Sequence, residues 1–274
     1  MLRKDVRSPA FQASVTKASP SGASTADPAQ IALFERLADE WWNPHGAFKV
    51  VHAFNAARVA YLSACLPRLS GRSAAAAAPL DGVDLLDVGC GAGIVTEPLS
   101  RMGARTLGID AAERNVLVAT RHAAATDAPA RYRHALPEEL VAEGRAFDIV
   151  LSLEVVEHVG SVPMFLSALA ALVAPGGLLV IGTLNRTSLS YVKAIIGAEY
   201  ILRWLPRGTH DWRKFVTPRE LDAHLSPLGF DVLETRGVQL DPIRMRWSVG
   251  TGLDSNYLQV HRKRQSTRDD HPVG

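Results

Sequence analysis

The sequence predicts a doubly wound α/β fold with helices on both faces of a largely parallel sheet. Three observations carry this. From about residue 80, short aliphatic runs alternate with stretches of helical periodicity. The first run ends in a glycine turn, Asp87-Val88-Gly89-Cys90-Gly91-Ala92-Gly93, and the second ends in Gly108-Ile109-Asp110. A glycine turn between strand and helix lets backbone N–H groups approach a ligand closely, and an acid ending the next strand can accept from two ribose hydroxyls.

In chain order, residues 1–28 are polar and rich in Ser, Ala and Pro, which predicts a disordered tail. Its basic residues Arg3, Lys4, Arg7 and Lys17 outnumber its acids, and it lacks the apolar core of a secretory signal. A bacterial tail and a mitochondrial transit peptide both fit. Residues 29–80 hold two helical patterns, IALFERLADEWW and HAFNAARVAYLSACL, followed by a surface loop over Ser70–Pro79. Residues 81–263 form the expected α/β domain. Its strands are VDLLDVG, RTLGID, ARYRHA, FDIVLSL and LLVIGTL, each followed by a helix. A helix beginning at Thr217-Pro218 and a last strand pair, GFDVLETRGVQL and SNYLQVHRK, complete the sheet. Residues 264–274 are a polar tail.

The uncharged run from Ser161 to Asn185 would pass a hydropathy window for a membrane span, but Pro175-Gly176-Gly177 divides it. It reads as a helix ending near Ala174 and a buried strand from Leu178 to Thr183. A formal net charge of +2 over 274 residues gives no long-range basic field, so charge does not imply nucleic acid. The two cysteines, Cys65 and Cys90, lie far apart in sequence and fit a reducing compartment.

The ligand of the glycine turn is not a dinucleotide by spacing, because Ile94 stands where a third glycine is required and Gly93 comes early. Asp87, facing the same ligand, would repel a pyrophosphate; a cation suits it better. The D-x-G-C-G-x-G turn and the later G-x-D resemble the class I S-adenosylmethionine-dependent methyltransferases, whose cofactor is a sulfonium. Pro175-Gly176-Gly177 is similar to that family's later motif.

After the fourth strand comes Leu153-Glu154-Val155-Val156-Glu157-His158. On a helix, Glu154, Glu157 and His158 would share one face and could hold Mg²⁺ or another divalent metal, which would help ionise a catechol. The alternative is that the acids cap the helix while His158 orients substrate.

The segments EWWNPHGAFKVVHAFNAARVAYL, TLNRTSLSYVKAIIGAEYILRWLPRGTHDWRKF and VGTGLDSNYLQ resemble the ubiquinone biosynthesis O-methyltransferase family over about residues 30–262. The resemblance implies methyl transfer to a polyprenyl catechol and to 3-demethylubiquinol. It implies cofactor contacts at Arg58, Gly89, Asp110 and Leu153, joined by Asp87 and Gly91 of the turn, and metal association at Glu154, Glu157 and His158. Ala92 and HAFNAAR depart from the family's commoner pattern, the latter leaving Arg58 in place.

An insert over 186–215 carries an amphipathic stretch with Lys193, Glu199 and Arg203 on one side. Residues 189–212 suit a segment lying on a lipid surface, with Trp204 and Trp212 at the interface and Arg203 and Arg207 at phosphates; a lid over the substrate pocket is the other reading. His210 is a second candidate base beside His158. The expected partners are the polyprenyl substrate, membrane lipid and other ubiquinone-biosynthesis proteins, with no nucleic acid. The expected place is the cytoplasmic face of a bacterial inner membrane, or else the mitochondrial matrix face. A small soluble phenol as acceptor, or a non-catalytic lipid-binding role, are the competing functions.

Overall fold

The computed structural model describes residues 24–43, 46, 48–187, 190, 212–241 and 243–265. Residues 1–23 and 266–274, His210 and most of the 186–215 insert, Arg203, Trp204 and Arg207 among them, therefore lie outside the described residues. The end of the expected disordered tail is ordered, with Thr25 buried and its N–H donating to Glu138 Oε1 at 2.9 Å. Trp212, expected at a lipid interface, instead packs against Leu184 and Phe215 and donates from Nε1 to the Thr187 carbonyl at 3.1 Å.

The N-terminal extension begins with α1 (Pro28–Leu37), started by Asp27, whose carboxylate accepts from the N–H of Ala29 ahead of a helix-opening proline. A short 3₁₀ turn (Ala38–Glu40) follows it, and α2 spans Lys49–Leu69. The alternation predicted from residue 80 is observed as β1 (Asp84–Val88), α3 (Thr96–Arg101), β2 (Arg105–Asp110), α4 (Glu113–Ala125), β3 (Arg131–His134), α5 (Pro137–Ala142), β4 (Phe147–Leu153), α6 (Val162–Leu172) and β5 (Val173–Leu184). Then come α7 (Pro218–Leu225), β6 (Phe230–Asp241), β7 (Arg246–Gly250) and β8 (Asn256–Lys263). Thr217 and Glu220 cap α7 reciprocally, which is why the helix starts where Thr-Pro predicts.

The eight strands form one sheet in the order β3-β2-β1-β4-β5-β8-β6-β7. β1 to β5 are parallel; β8 enters antiparallel between β5 and β6. β7 pairs only with β6 at the edge and was not read as a strand from sequence. Neighbouring residues of the central strands face opposite layers. Leu86, Val150 and Ile181 pack with α5, α6 and α7, whereas Leu85, Ile149 and Val180 pack with α2 and α3. Each such aliphatic side chain taken fully out of water contributes about 1.5–3 kcal/mol.

One boundary differs from expectation. The strand begins at Val173 and runs through Pro175-Gly176-Gly177, where its pairing with β4 slips between Phe147 and Ile149. The glycines make a bulge inside the strand, with Gly176 at φ +78°, instead of a turn before it. No helix among the described residues is long and apolar enough to cross a membrane.

Candidate active site

The reversal of strand order between β1 and β4 opens a crevice at the carboxyl ends of the strands. A cavity of about 630 Å³ occupies it. Its walls include the glycine turn, Asp87, Asp110 and Leu153 toward β1 and β2, and Val238, Leu240 and Trp247 from the β6–β7 edge. Arg58, Glu154 and His158 also line it.

The glycine turn is shaped by contacts that exclude side chains. Gly89, Gly91 and Gly93 all have positive φ, at +74°, +54° and +85°. A Cβ on Gly89 would lie 2.3 Å from Val155 Cγ2, and one on Gly93 would lie 2.2 Å from the Tyr132 hydroxyl oxygen. Ala92 is not among the non-glycine residues with positive φ, so its departure from the family pattern carries no strain.

Asp110 ties the turn together. One carboxylate oxygen accepts from the Gly91 N–H at 2.9 Å; the other accepts from the Ala112 N–H at 2.8 Å and from Asn115 Nδ2 at 3.2 Å. Trp41 Nε1 donates in turn to Asn115 Oδ1 at 3.0 Å, and its ring lies against Gly91. Burial raises the Asp110 pKa, partly opposed by the donated hydrogen bonds from Ala112, Gly91 and Asn115. Asp87 is buried too, accepts from Thr96 Oγ1 at 2.6 Å, and is pushed up to about 6 mainly by burial. A cationic ligand here would stabilise the ionised form of both acids. Burial likewise raises the thiol of Cys90, so it sits in the turn as an unreactive small residue.

Arg58, a fully buried side chain of α2, pairs with Glu154, donates to Asn55 Oδ1 at 3.3 Å and lies 3.7 Å over the Phe54 ring. Glu154 has φ +57° and also accepts from Asn256 Nδ2 at 3.0 Å. Glu157 is buried and accepts from Thr183 Oγ1 at 2.8 Å; burial, then the Glu154 charge, pushes its pKa up to about 8. His158 bonds through Nδ1 to Gln30 Oε1 at 2.9 Å and meets the Phe34 ring edge-on.

This corrects the expected metal geometry. Residues 154–158 do not form a helix with one acidic face: Glu154 stands in a left-handed conformation and only Val156–His158 make a 3₁₀ turn. The three side chains take separate partners, Arg58, Thr183 and Gln30. Among the described residues no group of three acids, histidines or cysteines is placed to hold a metal ion. The residues present do not fit the expected divalent ion.

The structure does bring Arg58, Asp87, Gly89, Gly91, Asp110, Leu153, Glu154 and His158 to one cavity. Glu157 lies behind it. Sequence reasoning missed Trp41 and Asn256, whose contacts are made only by the fold, and also Asn55, which lies one helical turn before Arg58, and Asn115. The Asn five residues after Asp110 and the Asn three residues before Arg58 were the local signals.

A methyltransferase domain family matches residues 57–235. The ubiquinone biosynthesis O-methyltransferase of Azorhizobium caulinodans is 45% identical over 237 residues, covering 86% of this chain and 94% of its own length. The chain belongs to the ubiquinone biosynthesis O-methyltransferase family. It is thus an S-adenosylmethionine-dependent methyltransferase by family, as the glycine turn led us to expect. A second member of the family, from Cereibacter sphaeroides, is 44% identical over 242 residues, covering 88% of this chain and 98% of its own. Among solved structures, the magnesium protoporphyrin IX methyltransferase of Synechocystis with bound SAH matches at TM-score 0.60 and 19% identity, covering 85% of this chain and 99% of that one. The N-methyltransferase NodS of Bradyrhizobium japonicum matches at TM-score 0.56 and 18% identity, covering 85% and 98%. At these identities the likeness to solved structures speaks for the family's fold.

Proposed function

We propose that this protein transfers a methyl group from S-adenosylmethionine to the hydroxyl of a polyprenyl catechol, and to that of 3-demethylubiquinol. The observation that carries the reading is the single cavity, in which the glycine turn and Asp110 share one space with the apolar wall of Val238, Leu240 and Trp247.

The residues of the turn fit the cofactor. Gly89 and Gly91 let it approach the backbone, Asp110 accepts from its ribose, Leu153 packs against it, and Asp87 supplies negative potential toward its cationic end. When bound, the sulfonium supplies a methyl already activated toward nucleophiles, so much of the protein's task is in-line positioning of the acceptor oxygen.

His158 takes the phenol proton as that oxygen attacks. Its Nδ1 lies 2.9 Å from Gln30 Oε1, and in the tautomer that donates from Nδ1 to that oxygen the basic lone pair is on Nε2. Phe34 fixes the ring plane. Arg58, neutralised by Glu154, lines the cavity between α2 and the end of β4 and orients the cofactor or the acceptor's polar head. No metal step enters this account, because Glu154, Glu157 and His158 take separate partners, Arg58, Thr183 and Gln30.

The polyprenyl tail runs along the apolar wall. Residues 189–212 supply a surface for lipid, and His210 is a second candidate for contact with the phenol. We place the protein at the cytoplasmic face of an inner membrane, where other ubiquinone-biosynthesis proteins could meet it.

The test is transfer of labelled methyl to a short-chain prenyl catechol, compared with a tail-less catechol, for the wild type and His158→Ala. The expected result is a preference for the prenylated acceptor and a fall in kcat of about 10²–10⁴-fold in the variant, with cofactor affinity unchanged. Equal turnover of both acceptors would favour a small soluble phenol, and cofactor binding with no turnover of either would favour a non-catalytic role.

A further inference from the structure

The β6–β7 hairpin projects a tip that neither the fold nor the cavity uses. Ile243 is 93% exposed and Met245 61% exposed, the two most exposed large apolar side chains among the described residues. They alternate with Arg244 and Arg246, both exposed, and Trp247 follows. Isolated exposed apolar residues are ordinary, but two side by side at a chain reversal, interleaved with arginines, are not.

The tip is held in shape. Asp241 pairs with Arg246 across the hairpin, and its Oδ1 accepts from the N–H groups of Ile243 and Arg244 at 2.9 and 3.1 Å. Met245 adopts φ +48°. A collapsed turn would fold these side chains back on the sheet; this one presents them outward.

The tip is also continuous with the cavity. Leu240 and Trp247, paired across the hairpin directly behind it, line the cavity wall, and Trp247 meets Phe54 of α2 edge-on at 4.8 Å. An apolar chain leaving the tip would reach Leu240 and Trp247 first.

We propose that the β6–β7 tip is a membrane-seating finger, with Ile243 and Met245 entering the acyl boundary of an anionic lipid surface and Arg244 and Arg246 meeting its headgroups. A bilayer is the occupant that fits the chemistry. Two apolar side chains are far too little for a stable protein interface, which buries about 1,200–2,000 Å² in total. They suffice for shallow insertion when flanked by cations, since each arginine near an anionic surface adds favourably. The tip is a different element from residues 189–212. Its purpose, delivering a polyprenyl acceptor from the bilayer to the cavity, rests on the activity proposed above.

The test uses the full chain with vesicles of phosphatidylcholine alone and of an equal phosphatidylcholine–phosphatidylglycerol mixture. Ile243→Asp combined with Met245→Asp is expected to weaken binding to the mixed vesicles at least about tenfold. Arg244→Ala combined with Arg246→Ala is expected to remove the preference for mixed over neutral vesicles. Leu117→Asp, on exposed surface of α4, is expected to bind as wild type. A polarity-sensitive dye on Ile243→Cys, selective because Cys65 and Cys90 are buried, should shift to the blue on mixed vesicles. Wild-type binding by both tip variants, or a dye that does not shift, overturns the proposal. A wild-type chain that binds neither vesicle also overturns it, and leaves the tip to a protein partner. Methyl transfer to a tail-less catechol, assayed on the same variants, reports on the activity reading separately and should not change.

Discussion

Arg58 on α2 and Glu154 at the end of β4 form an ion pair that is asymmetric in burial, the guanidinium keeping 2% of its surface exposed and the carboxylate 27%. The pair joins the N-terminal extension to the catalytic sheet. Burial lowers the arginine's pKa while the Glu154 charge opposes that, so Glu154 offsets the desolvation of the buried guanidinium.

The two halves of the pair should therefore fail unequally. Glu154→Ala strands a guanidinium in the interior and is expected to cost about 3–5 kcal/mol of stability. Arg58→Met leaves a carboxylate that can reach water through the cavity, and the loss should be smaller, about 1–3 kcal/mol. Urea unfolding of both variants decides this; equal losses, or the reverse order, would mean that Arg58 is better solvated than the structure shows.

Gly89 can be tested by separating its two constraints. Gly89→Ala places a methyl 2.3 Å from Val155 Cγ2 at φ +74°. The clash and the backbone strain should each cost about 1–3 kcal/mol. Adding Val155→Ala removes the clash alone, so the double variant should recover part of the lost stability and not all of it. Full recovery in thermal melts would show that the left-handed backbone at Gly89 is not a constraint.

The residues that could be read from sequence are those whose roles are local in the chain. The glycine turn, the acid that ends the second strand and the Thr217 cap are each marked by a few consecutive residues, so short motifs found them. Trp41 and Asn256 could not be found this way, since they reach Asn115 and Glu154 over separations of 74 and 102 residues. The metal expectation failed for a related reason. Helical spacing of Glu154, Glu157 and His158 presumed a helix, whereas the chain leaves β4 through a left-handed Glu154 that turns its side chain toward Arg58. β7 was missed although Arg246-Trp247-Ser248-Val249 alternates polar and apolar, because the run is only five residues long and ends in glycine.

Asp110 offers a test of cofactor binding. Its two oxygens accept from Gly91 N–H on one side and from Ala112 N–H and Asn115 on the other, so Asp110→Asn must set an amide N–H₂ against one of those donors. Affinity for S-adenosylhomocysteine should fall roughly 10–100-fold by calorimetry, in line with loss of a charge-assisted hydrogen bond. An affinity within a factor of about two of wild type would remove Asp110 from the cofactor site.

Two buried groups should bend the pH profile of stability in opposite senses. His261 on β8 is fully buried, neither ring nitrogen has a partner among the described residues, and burial lowers its pKa from 6.5 to about 4. Between those values the unfolded chain binds the proton and the folded chain does not, so its contribution is present above 6.5 and is lost as pH falls toward about 4. His261→Leu should therefore melt higher than wild type, with the gap widening over that window. Glu157 is raised from 4.5 to about 8, so here the folded chain holds the proton and stability is lost as pH rises through that window. Glu157→Gln keeps an acceptor for Thr183 and cannot ionise; its advantage over wild type should grow from pH 4.5 to about 8, the opposite trend to His261→Leu. Thermal melts of the three proteins across both windows separate the two effects, and parallel profiles would show that neither group changes protonation on unfolding.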